Sequence, residues 1–87
     1  MYVFDKIDGA GGSERLGTMD ADTVPCIHGA MLAMAQANPR LAAPCDIGAL
    51  AAALDEAFHM TDRLAGERVE AEVTYGRSRV VCIRTLH

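Results

Sequence analysis

The sequence predicts a small α+β domain: a three-stranded, mainly antiparallel sheet with two helices on one face, in the order β-α-α-β-β. Three observations predict it. Residues 46–65 carry apolar side chains at helical spacing, at Ile47, Leu50, Leu54, Phe58 and Leu64. Residues 68–75 alternate apolar with charged or polar side chains, the pattern of a half-buried strand. Residues 25–37 carry no formal charge and stop at Asn38-Pro39, as a buried helix would.

Taken in order, Tyr2-Val3-Phe4 are good strand formers and predict a first strand within residues 1–7. Gly9, Gly11, Gly12 and Gly17, with Ser13 among them, predict a flexible loop over residues 8–22. Asp22 or Thr23 is placed to cap the next helix, with Pro25 in its first turn. In that helix only His28 and Gln36 are polar, so it is expected to be covered on most sides. Either the loop 8–22 folds over it, or a second copy or partner covers Met31, Leu32 and Met34.

Residues 40–45 connect the helices between two prolines. Asp46 then caps the long helix and Gly66 closes it. Its first half is nearly all alanine, which lets other segments approach closely. Its second half carries Asp55, Glu56, His59, Asp62 and Arg63. After it, residues 68–86 read as a β-hairpin turning at Gly76-Arg77-Ser78. Val80-Val81-Cys82-Ile83 is apolar on both faces, so this strand is expected in the sheet centre, between residues 68–75 and the first strand. A one-residue change in the turn would swap Val80/Cys82 with Val81/Ile83, so the facing pair stays open.

Eighty-seven residues bound the chain to one domain, residues 1–87. A formal charge of −4 gives no overall basic footprint, which makes nucleic acid an unfavoured partner. No apolar run is long enough to span a bilayer, and the first residues lack a signal peptide's basic and apolar regions. A cytoplasmic protein, off the membrane, is expected. Three widely spaced cysteines fit reduced thiols better than a disulfide framework.

Cys26 and Cys45 each adjoin a predicted helix start, where the helix dipole favours a thiolate. A catalytic thiol at Cys26, with His28 or His59 as base, is therefore one reading; a small buried hydrophobe is the plainer one. Cys26, His28, Cys45 and His59 have donor types suited to zinc, but no paired ligand spacing accompanies them. The glycines of residues 9–12 match neither a phosphate-binding nor a calcium-loop pattern, so no cofactor is expected.

Arg77 and Arg79 make the hairpin tip basic. They and the helix face Asp55, Glu56, His59, Asp62 and Arg63 are the candidate partner-binding residues. Their plainer role is a solvated surface, with Arg84 paired across the strand to Glu70 or Glu72. The expectation is a non-enzymatic protein-binding module, an adaptor or inhibitor of bacterial or phage origin that occupies a partner's surface, a blocker of host defence by analogy of size. It would be partner-bound or a homodimer. A thiol-dependent redox protein or enzyme using Cys26, and a zinc-stabilised module, are the alternatives.

Overall fold

In the computed structural model, which describes residues 1–39 and 46–85, two helices lie on one face of an antiparallel sheet. The elements are β1 (Tyr2–Ile7), β2 (Ser13–Met19), α1 (Ile27–Gln36), α2 (Ile47–Asp62), β3 (Arg68–Tyr75) and β4 (Ser78–Thr85). The strand order is β2-β1-β4-β3. Two hairpins thus meet through their inner strands, β1 against β4. The α+β class and the central place of β4 agree with the sequence pattern.

The sheet has four strands rather than three, and the chain order is β-β-α-α-β-β. Much of the stretch 8–22, expected as a flexible loop, is β2. Asp8 builds the turn before it: its carboxylate accepts hydrogen bonds from the amides of Ala10 and Gly12, each at 2.9 Å. A bulge explains why β2 escapes a search for alternation. Gly17 lies opposite Phe4 and Arg15 opposite Asp5, leaving Leu16 as the extra residue. Leu16 and Met19 are therefore both buried although they stand three apart. Gly17 fits because a β-carbon there would come within 3.0 Å of the Met34 methyl.

The helix starts also differ from expectation in part. Asp46 caps α2, accepting from the Ala49 amide at 3.0 Å. Cys26, not Asp22 or Thr23, caps α1: its sulfur accepts from the Gly29 amide at 3.4 Å, and Pro25 precedes the cap. The long helix ends at Asp62 rather than near residue 65, and Gly66, at φ 135°, lies in the connector to β3. Arg84 reaches over from β4 to that end. Its guanidinium donates to the carbonyls of Thr61, Leu64 and Gly66 at 3.3, 2.6 and 3.5 Å.

That placement corrects the expected pairing of Arg84 with Glu70 or Glu72. Arg84 stands opposite Tyr2 and Val69 on the helix side of the sheet, while the glutamates project from the other side. Glu72 is instead paired with Arg79 at 2.9 Å. The β3–β4 turn is two residues, Gly76-Arg77, with Tyr75 opposite Ser78 and Gly76 at φ 61°. This settles the register: Val80 and Cys82 join the core under the helices, and Val81 and Ile83 face the open side.

Phe4, Met31, Leu50, Leu54, Val80 and Cys82 are fully buried between sheet and helices. Thr61 is buried with them and donates its hydroxyl to the carbonyls of Ala57 (2.7 Å) and Cys82 (3.3 Å). The Tyr2 and Phe58 rings close that end of the core, with centroids 4.7 Å apart.

Candidate functional site: two sheet edges and an interhelix bridge

Three of the residues singled out by sequence converge between the helices. His28 on α1 and His59 on α2 flank Asp55, with Nδ1 and Nε2 at 3.4 and 3.5 Å from its two carboxylate oxygens. The His59 contact follows from i,i+4 spacing; the His28 contact comes only from helix packing. The arrangement ties α1 to α2. Among the described residues, no group of three or more such side chains is placed to hold a metal ion. Cys26 is taken up by the α1 cap. Cys45 lies outside the described residues. Cys82 is fully buried, and burial pushes its thiol from the usual 9.0 up to about 11. It stays protonated at neutral pH and is no nucleophile.

The expected partner-binding residues divide. Asp55 serves the bridge, Asp62 accepts from the Tyr2 hydroxyl at 2.9 Å, and Arg79 pairs with Glu72. Burial, and then the hydrogen bond to Asp62, raise the Tyr2 pKa. Glu56 on α2, Arg63 at the cap that ends α2 and Arg77 in the β3–β4 turn stand exposed. Of the residues expected for self-association, Met31 is buried inside the chain and offers no surface; Leu32 is exposed and Met34 half-buried.

The two outer strands differ more than their sequences suggest. Beside β2, a groove of about 510 Å³ runs under α1, lined by Leu16, Met19, Val24, Ala33 and Met34 among others. The β2 edge itself is blunted. It is bulged, Met34 lies against Gly17, and the Asn38 side chain donates to the Leu16 carbonyl at 2.9 Å. In contrast, β3 pairs with β4 without a break from Arg68 to Tyr75, and no described strand lies on its outer side.

A hollow of about 390 Å³ there is lined by Met60, Glu70, Ala71, Glu72 and Val81. Met60 is 39% exposed, and Leu64, in the connector leading into β3, is 44% exposed. Met60 thus puts apolar surface next to a regular, charged edge strand. The helical spacing places Leu64 on the buried stripe of the long helix, and Met60 falls outside that stripe. The available signal was a methionine on a helix face otherwise made of His59, Asp62 and Arg63.

Among the described residues no helix is long and apolar enough to cross a membrane. The chain matches no protein-family model, no curated protein and no solved structure.

Proposed function

We propose that the chain is a non-enzymatic protein-binding module, an adaptor or inhibitor that works by occupying a partner's surface. One observation carries this reading: Met60 remains exposed beside the regular edge strand β3, with Leu64 exposed in the connector that leads into that strand. Apolar side chains held next to an unpaired strand edge cost solubility, and a partner that covers both removes that cost. The same flank includes Arg63, and His59 of the bridge precedes Met60 in the chain. Met60 of the helix meets Glu70, Ala71 and Glu72 of the strand edge around one hollow.

The test is affinity capture followed by cross-linking in the cell that makes the protein. Wild-type chain is expected to hold a defined protein partner. The exposed substitutions Met60→Gln and Leu64→Gln together should release that partner while leaving the melting temperature within a few degrees. Full retention of the partner by the double variant, or a chain that cross-links to nothing, would end this reading.

A further inference from the structure

We infer that the outer edge of β3 accepts an extended segment of a partner protein as a fifth strand, one whose side chains run basic–apolar–basic. This names the partner chemistry of the surface proposed above and rests on that reading. A strand laid beside β3 sends alternate side chains to opposite faces. On the open face they meet Glu70 and Glu72, both exposed, and opposite charges in such cross-strand positions attract. The side chain between them points to the helix side, toward Ala71 and Met60, which line the hollow together with Glu70, Glu72 and Val81. Glu70 and Glu72 already contact Arg68 and Arg79, at 3.5 and 2.9 Å, but these are exposed pairs that contribute little and can be exchanged.

The glutamates also select against a second copy. Two β3 strands paired antiparallel about a two-fold axis must oppose residues of the same face, since a one-residue slip turns the side chains over. The two such registers with the longest overlap set Glu70 against Glu72 twice, or Glu72 against Glu72. Like charges directly opposite one another repel. The other edge is closed to this mode of binding, because β2 is bulged and its Leu16 carbonyl is taken by Asn38.

The experiment titrates isotopically labelled protein with a short, capped synthetic peptide alternating Lys and Val, followed by amide resonances. Two controls are a peptide with Glu in place of Lys and one of the same composition with its lysines grouped together. Shifts are expected along residues 68–75 and at Met60, with slowed amide exchange in β3. Each control should bind at least about tenfold more weakly, as should the Glu70→Lys/Glu72→Lys variant, whose melting temperature should match wild type. Equal affinity for the grouped-lysine peptide, shifts centred on the groove under α1, or no saturation at about 1 mM peptide would overturn the proposal. If the Lys variant still captures the cellular partner, the strand proposal falls while the binding-module reading survives.

Discussion

The two helices are both rich in apolar residues, yet they live in different environments. α2 lies over β3 and β4 and against α1, and seven of its sixteen residues are buried. α1 rests on α2 and on the edge strand β2, and only Met31 and Ala35 of its ten residues are buried. It is uncharged nonetheless, and its outer side shows Gly29, Leu32 and Ala33 to solvent. The expectation that an uncharged helix is covered all round does not hold within this chain. Position over the sheet decides burial. Glycine and alanine expose so little apolar area that leaving them in water costs little.

The largest expected effect sharpens that contrast. Leu54→Ala, in the middle of α2, should cost about 3–5 kcal/mol, because it leaves a cavity where nothing can collapse. Leu32→Ala, on the outer side of α1, should cost under about 0.5 kcal/mol. Chemical denaturation of both variants checks the pair. A Leu32→Ala penalty close to that of Leu54→Ala would mean that a second copy covers α1 in solution.

Next comes alkaline stability, which reports on the α2 side. The unfolded Cys82 thiol ionises near its usual pKa of 9.0 and the folded one near 11. Between these values the unfolded chain has lost a proton that the folded chain keeps, so stability falls as pH rises. The loss should reach about 2–3 kcal/mol by pH 11. Tyr2, raised by burial, adds to the same trend. Cys82→Val should remove most of the slope between pH 9 and 11 in denaturation curves.

The smallest effects compare the two caps. Asp46→Ala should cost about 1 kcal/mol, the usual worth of a carboxylate cap. Cys26→Ser should instead stabilise the fold by about 0.5 kcal/mol, since a hydroxyl accepts a hydrogen bond better than a thiol does. A Cys26→Ser loss larger than that of Asp46→Ala would show that the sulfur does more than cap α1.

Much of this architecture was legible in the chain. The apolar spacing of α2, its Asp46 cap, the alternation of β3 and the two-faced pattern of β4 all correspond to the structure. What could not be read had physical causes. The bulge at Leu16 shifts the phase of β2, and four glycines around it imitate a loop. Arg84 reads as a surface charge, but its strand position turns it toward the end of α2. The His28–Asp55–His59 bridge depends on how two helices pack, which no local pattern encodes. The exposed pair Met60 and Leu64 was hidden because Leu64 continues the helical apolar spacing just past the point where the helix stops.

The meeting of β1 with β4 has a consequence for how the molecule is made. Tyr2 faces Arg84, so the middle seam of the sheet joins the beginning of the described chain to its end. Each hairpin can form from neighbouring residues, but the seam requires closing a loop that contains nearly everything else. On the ribosome, β1 waits with one side unpaired until β4 has left the exit tunnel. The core under α2 is therefore sealed only once β4 has joined β1, with folding slowed by the long sequence separation of its central contacts.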